Sequence, residues 1–81
     1  MNKMELFKKM SECANNPDVT GFCVVIENES APDKEFIINT RKAINYKMVY
    51  YNEAYNDDLE LICNPSIRIV NAYVIYSDTV I

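Results

Sequence analysis

The spacing of apolar residues changes repeatedly along this chain, and these changes limit the available folds more than any other feature. Residues 2–15 carry apolar side chains at the i, i+3, i+4 and i+7 spacing of an amphipathic helix. Residues 20–28 (TGFCVVIEN) are instead rich in β-branched and aromatic residues, with apolar side chains on both faces. These patterns predict a helix followed by a strand that lies inside a sheet or under a helix.

The segment that follows predicts a hairpin and a second helix. A polar connection with an acidic tip leads from residues 20–28 to residues 35–39 (EFIIN), a second short strand. Asn39 or Thr40 is the predicted N-cap of the second helix, because either side chain can accept a hydrogen bond from the first helical turn. The helix is predicted to end at Asn56-Asp57-Asp58, since Asn and Asp compete for backbone hydrogen bonds.

The last part of the chain predicts two more strands, residues 59–63 and residues 67–77, separated by the turn Asn64-Pro65-Ser66. Both faces of residues 67–77 carry apolar groups, which predicts an interior strand. The expected fold is therefore α+β in the order α-β-β-α-β-β, a mainly antiparallel four-stranded sheet packed by two helices. A parallel crossover through the second helix is the alternative topology.

The length of the chain allows one small hydrophobic core. A chain of 81 residues buries roughly 60% of the surface that its unfolded form exposes, so residues 1–81 are expected to form a single domain. Charges interleave with apolar residues at the N-terminus, which therefore has no apolar region of a signal peptide. The longest uncharged run, residues 69–77, is too short to cross a bilayer as a helix. We expect a cytoplasmic protein without a membrane partner.

The residue types for catalysis and metal binding are sparse. The chain has no histidine, and its three cysteines form no CxxC pair. We expect reduced cysteines, with Cys13 on a helix and Cys23 and Cys63 as small apolar residues inside strands. The single glycine, Gly21, excludes a glycine-rich phosphate loop. The sequence thus predicts a protein that is not an enzyme and uses no metal and no cofactor.

Acidic residues form two groups in the sequence. The net charge of −4 argues against direct nucleic-acid binding as the main function, because phosphates are repelled. If the two groups lie on one side of the sheet, their field could imitate DNA phosphates or attract a basic protein groove. The alternative is that these loops only interact with water. The first group surrounds the hairpin tip and the second the end of the second helix: Glu27, Glu29, Asp33 and Glu35, then Glu53, Asp57, Asp58 and Glu60.

Tyrosines accompany the second acidic group. Residues 40–61 hold four of the six tyrosines, a residue type enriched in recognition surfaces. On the predicted helix, Ile44, Met48, Tyr51 and Tyr55 form the stripe that should face the sheet. Tyr46 and Tyr50 should then lie at its edge or in solvent, as candidates for partner contact. The structural alternative places Tyr51, Tyr55 and Tyr73 in the core.

Residues 50–61 (YYNEAYNDDLEL) and residues 64–70 (NPSIRIV) resemble the C-terminal pattern of small uncharacterised proteins from phages and prophages of low-GC Gram-positive bacteria. The resemblance covers only the C-terminal part of the chain and carries no catalytic residues. It implies a host-directed or replication-associated accessory protein, one form of which inhibits a host nucleic-acid-processing enzyme or a defence nuclease.

Three hypotheses of function follow. The first is a protein-binding module whose acidic loops and tyrosines occupy a basic groove, with Tyr46, Tyr50, Glu53, Asp57, Asp58, Glu60, Glu27, Glu29 and Asp33 as contact residues. The second is a small homo-oligomer, for example a homodimer, in which the copies pair through residues 67–77. The third is weak nucleic-acid binding through the first helix and the Arg41-Lys42 corner.

Overall fold

A computed structural model describes residues 1–76 of the chain. These residues form helix α1 (Lys3–Ala14), strand β1 (Val19–Asn28), strand β2 (Glu35–Thr40), a 3-10 turn (Arg41–Ala43), helix α2 (Ile44–Ala54) and strand β3 (Ile67–Tyr76). The fold is α+β, as expected. Its order over the described residues is α-β-β-α-β, however, with three strands where the sequence predicted four.

Helix α1 begins and ends at asparagines. The Asn2 side-chain oxygen accepts a hydrogen bond from the backbone N–H of Glu5 (2.9 Å) and so caps the first turn. At the other end, the Asn15 side-chain amide donates to the carbonyl of Ser11 (3.0 Å). The predicted helix over residues 2–15 is confirmed, because these two residues are its caps.

Strand β1 is the central strand of the sheet, as its two apolar faces predicted. It pairs antiparallel with β2 on one side and with β3 on the other. Strands β2 and β3 therefore run in the same direction but are not neighbours, and the connection through α2 carries the chain across β1. Gly21 lies where β1 and β2 approach closely, since a Cβ there would be 2.9 Å from the carbonyl oxygen of Asn39.

The predicted strand over residues 59–63 is wrong. This segment makes only two isolated bridges, Tyr55 with Leu61 and Glu60 with Arg68. Leu59 has a φ of 61°, in the left-handed region, and this conformation interrupts an extended chain. Cys63, expected inside a strand, is exposed instead.

The prediction of an interior strand over residues 67–77 is also wrong. Strand β3 lies at an edge of the sheet because no fourth strand forms beside it in the described residues. Tyr73, placed in the core by the structural alternative, is consequently exposed. Residue 77 of the predicted strand lies outside the described residues.

Helix α2 begins later than the caps Asn39 and Thr40 predicted. Strand β2 continues to Thr40, whose side chain makes no capping hydrogen bond, and the 3-10 turn precedes the helix. The guanidinium of Arg41 donates to the carbonyl of Ala14 (3.1 Å), at the end of α1. A cation there complements the negative end of the α1 dipole, instead of opposing the positive end of α2.

Both helices cover the same face of the sheet. On this face Phe22, Val24 and Ile26 of β1 contact a core of buried residues from both helices and from β3, which includes Leu6, Met10, Cys13, Ile44, Tyr51, Ile69 and Ala72.

The opposite face of the sheet, here called the open face, carries Cys23, Val25, Phe36, Ile38 and Tyr73. The two residues of β1 are buried, but they are not part of the core under the helices. Their register partners Ile38, Phe36 and Tyr73 flank them and remain largely exposed.

Candidate functional site

The two acidic groups of the sequence lie at the same end of the molecule. Strand β1 ends there, and α1 and β3 begin there. The backbone N–H of Glu29, in the hairpin, donates to the carbonyl of Ser66 (3.1 Å), directly before β3. The backbone N–H of Lys3 donates to the carbonyl of Asp57 (3.0 Å), directly after α2. We call this region the acidic end; it comprises Glu27, Glu29, Asp33, Glu35, Glu53, Asp57, Asp58 and Glu60.

The loop after α2 is held by the side chain of Asn56. Its oxygen accepts from the backbone N–H groups of Asp58 (3.0 Å) and Glu60 (2.9 Å), and its amide donates to the Glu60 carboxylate (3.0 Å). This arrangement turns the chain so that Leu59 is fully buried while Asp57 and Asp58 are exposed. A buried anchor thus fixes the position of the two neighbouring carboxylates.

Some carboxylates of the acidic end are used within the molecule. Glu27 forms an ion pair with Arg68 (3.3 Å), the only ion pair among residues 1–76. Glu60 accepts the hydrogen bond from Asn56. The other candidates are exposed, and their side chains make no ion pair within the described residues: Glu29, Asp33, Glu53, Asp57 and Asp58.

The tyrosines of α2 divide between the core and the surface as the helical spacing predicted. Tyr51 and Tyr55 are buried, whereas Tyr46 is 73% exposed and Tyr50 is 45% exposed. The ring of Tyr50 contacts those of Tyr51 (5.5 Å between centroids) and Tyr55 (6.5 Å). The ammonium of Lys47 lies 5.3 Å from the centre of the Tyr50 ring. Tyr50 is therefore a surface ring that packs against its neighbours.

Val49 is a surface residue that is not among the candidates predicted from the sequence. It is 58% exposed and lies on the same side of α2 as two of the candidate residues, because it follows Tyr46 by three positions and precedes Glu53 by four. The same i, i+3, i+4, i+7 spacing could have identified it. We call this surface the outer face of α2: Tyr46, Val49, Tyr50 and Glu53. Glu53 connects it to the acidic end.

The buried tyrosines have raised pKa values. Burial, with smaller contributions from Tyr50, Tyr51, Cys63 and Glu35, raises the pKa of Tyr55 to about 12. Burial also raises the pKa of Tyr51, partly opposed by the side chain of Asn39. The Tyr51 hydroxyl and the Asn39 amide are both buried without a hydrogen bond of good geometry. Both phenols are neutral at neutral pH and support the core.

The remaining candidate groups are metal ligands and cysteines. Within residues 1–76, no group of three or more His, Cys, Asp or Glu side chains could hold a metal ion. Cys13 is buried, and burial raises the pKa of its thiol, which favours the less reactive protonated form.

Among residues 1–76, no helix is long and apolar enough to cross a membrane.

The basic corner of the third hypothesis lies at the other end of the molecule, around the beginning of α2. Arg41 and Lys42 line a shallow depression there together with Ala14, Thr20, Thr40 and Asn45. Arg41 and Lys42 are thus distant from the acidic end, where Lys3, Lys34 and Arg68 are the neighbouring cations. Comparison of the chain with protein-family models, curated proteins and solved structures found no match.

Proposed function

We propose that this chain is a non-enzymatic protein-binding module whose acidic end and outer face of α2 contact a basic groove of a partner protein. The observation that supports this function best is the convergence of two acidic segments that are distant in sequence. Eight of the 12 Asp and Glu residues of the chain belong to the acidic end. Such a concentration of one charge attracts a surface of the opposite charge and accelerates its association.

The outer face of α2 supplies the contact area that charges alone lack. Tyrosine rings bury a large area at a low cost in side-chain entropy. The solvent side of α2 carries three exposed apolar or aromatic side chains, Tyr46, Val49 and Tyr50, where an ordinary surface helix would be polar. The tyrosines and Val49 would form the apolar centre of the contact, and Glu53, Asp57 and Asp58 its charged rim.

The resemblance to phage and prophage proteins supports a more specific version of this function. In that version the partner is a host enzyme that processes nucleic acid, or a defence nuclease, and the module inhibits it. The carboxylates of the acidic end would take the place of DNA phosphates in the positively charged groove of that enzyme.

The two alternative functions have less support. Direct nucleic-acid binding would have to act through the cations near Arg41 against a net charge of −4. Pairing of two copies through β3 would have to displace contacts that already cover part of its edge, since the N–H of Ile69 donates to the carbonyl of Leu59 (2.9 Å).

The test compares two variants with the same net charge. Asp57→Lys with Asp58→Lys changes the acidic end, and Glu12→Lys with Asp18→Lys changes exposed acids elsewhere; each pair takes the charge from −4 to 0. The immobilised proteins are incubated with lysate of a low-GC Gram-positive bacterium and eluted with rising salt. We expect the wild type and the Glu12/Asp18 variant to retain a salt-sensitive partner, and the Asp57/Asp58 variant to bind it about tenfold more weakly or worse.

A result in which both variants lose the partner equally would show a dependence on net charge alone and would contradict a specific site. Retention that does not change in the Asp57/Asp58 variant would exclude the acidic end as the contact.

A further inference from the structure

Strand β2 is an edge strand whose outer side has no partner within residues 1–76. In the sheet order β2-β1-β3 it has one neighbour, and no backbone hydrogen bond from a loop or turn of the described chain reaches it. Phe36 is 63% exposed and Ile38 is 69% exposed. The strand also contains no lysine, no proline and no bulge in its pairing with β1, although such features commonly protect sheet edges from association.

The other edge of the sheet, β3, is protected by contacts within the molecule. At its start, the carbonyl of Ile67 accepts from the N–H of Leu61 (2.8 Å). In its middle, the N–H of Ala72 donates to the side-chain oxygen of Asn71 (2.8 Å), and the carbonyl of Ala72 accepts from the ammonium of Lys9 (3.1 Å). A second chain would have to break these bonds to pair there, so β2 is the more available edge.

The bonds of Ala72 also show which backbone groups β2 directs outward. Because Ala72 uses side chains as partners, its register neighbour Val24 is not hydrogen-bonded to β3 and directs its N–H and C=O toward β2. Val24 pairs with Ile37, so Ile37 faces β1. Residues of β2 alternate, and the outward-facing backbone groups therefore belong to Phe36, Ile38 and Thr40.

We propose that β2 pairs antiparallel with the β2 of a second copy of this chain, about a twofold axis at Ile37, to form a continuous six-stranded sheet. In this register Phe36 of each copy lies beside Ile38 of the other on the open face. The four exposed apolar side chains then cover one another. This interface is isologous, because the same strand contributes on both sides.

The charges around β2 are self-complementary, which identifies a second copy as the occupant. Acids stand before and at the start of the strand, and the cations Arg41 and Lys42 follow it, so that antiparallel pairing brings opposite charges together. With the axis at Ile37, Asp33 of each copy lies opposite Arg41 of the other. Arg41 uses one donor on Ala14 and keeps others available. Moving the axis to Ile38 would place Lys34 opposite Lys42, a repulsive pair.

The size of the interface predicts a weak dimer. With the axis at Ile37, residues 35–39 of each copy pair within β2 along an edge of about 17 Å, which buries less than the roughly 1,200 Å² of a standard interface. We therefore expect a dissociation constant in the micromolar range or above, and an equilibrium that depends on protein concentration.

Sedimentation equilibrium of the full chain between about 1 µM and 1 mM covers this range. We expect the wild type to dimerise, Ile38→Lys to raise the dissociation constant at least about tenfold, and Val49→Lys to leave it unchanged. Both substitutions replace a largely exposed apolar residue, one on β2 and one on α2. Circular dichroism confirms that the variants are folded.

A wild type that stays monomeric up to about 1 mM would overturn the proposal and leave the edge for a strand of another protein. A dimer that persists in Ile38→Lys would also overturn it. The acidic end takes no part in this contact, so Asp57→Lys with Asp58→Lys should dimerise normally, whatever the fate of the proposed function.

Disulfide cross-linking tests the register. The background is Cys23→Val with Cys63→Ser, because Cys23 lies opposite Ile38 within the chain and Cys63 is exposed. Under mild oxidation, Phe36→Cys with Ile38→Cys should form a covalent dimer, since these positions face each other across the axis at Ile37. Ile38→Cys alone should not. Equal cross-linking by Ile38→Cys alone would contradict the axis at Ile37.

Discussion

At the scale of single residues, Leu59 shapes the connection between α2 and β3. Its backbone adopts a left-handed conformation, which is rare for a leucine, while its side chain is fully buried. The burial of the side chain holds the backbone in this unfavourable region. Leu59 thus interrupts the segment predicted as a fourth strand, and Asp57 and Asp58, which precede it, are exposed.

Substitutions of Leu59 separate the contribution of its buried side chain from the strain of its left-handed backbone. Leu59→Ala should destabilise the protein by about 2 to 5 kcal/mol through the lost buried side chain. Leu59→Gly removes the same side-chain contacts, but glycine adopts the left-handed conformation without the strain of about 1 to 2 kcal/mol that other residues have there. The glycine variant should therefore be as stable as Leu59→Ala or more stable. Urea unfolding measures both. The control is Leu6, which is buried in α1, where glycine should be less stable than alanine by about 1 kcal/mol.

The raised pKa of Tyr55 predicts that the protein loses stability at alkaline pH. Its pKa is about 12 in the folded protein and about 10 in an unfolded chain. Above pH 10 the unfolded state releases the proton first and binds fewer protons than the folded state, so the free energy of unfolding falls as pH rises. The contribution of Tyr55 to the free energy of unfolding is complete below pH 10 and falls by about 2 to 3 kcal/mol by pH 12.

Urea unfolding of the wild type, Tyr55→Phe and Tyr46→Phe at pH 8 and pH 11.5 tests this expectation. The loss between the two pH values should be smaller in Tyr55→Phe, whereas exposed Tyr46→Phe should resemble the wild type. Equal losses in all three proteins would show that Tyr55 is not responsible.

At the scale of elements, the connection between α2 and β3 determines the shape of the acidic end. It has no regular secondary structure and depends on the three hydrogen bonds of the Asn56 side chain. The sequence Asn56-Asp57-Asp58 predicted that the helix ends here. It did not predict the geometry of the loop, because that geometry depends on where Leu59 enters the core.

Replacement of Asn56 tests the role of this connection. Asn56→Ala should destabilise the protein by about 1 to 3 kcal/mol, since two backbone N–H groups and the Glu60 carboxylate lose their partner. Asn52→Ala, an exposed position in α2, should be neutral or slightly stabilising because alanine favours helix. Thermal unfolding compares the two, and equal stability of the variants would contradict the role assigned to Asn56.

At the scale of the whole molecule, the acidic residues are concentrated at one end. The acidic end carries most of the carboxylates, and the Arg41-Lys42 corner lies at the other end. Carboxylates that repel one another cost free energy in the folded state, where they are held close together. The same concentration that suits the proposed contact therefore lowers the stability of the free protein.

This repulsion predicts that salt stabilises the protein. The screening length falls from about 30 Å at 0.01 M to about 10 Å at 0.1 M salt, so the midpoint of thermal unfolding should rise over this range. Asp57→Asn with Asp58→Asn should raise the midpoint at low salt and weaken its dependence on salt. Glu12→Gln with Asp18→Asn removes the same charge elsewhere and should have the smaller effect; the reverse order would contradict repulsion at the acidic end.

The spacing of apolar residues predicted the first helix, the burial of both faces of β1 and the division of the α2 tyrosines between core and surface. Each of these follows from the period of apolar residues within one segment, which shows the side of an element that is buried. The tertiary contacts establish that β3 is an edge strand, that Tyr73 is exposed, that the sheet has an open face and that the two acidic groups converge. These features depend on which segments are neighbours, and periodicity within a segment carries no information about its neighbours. Here the buried side chain of Leu59 and the hydrogen bonds of Asn56 turn the chain away from a fourth strand.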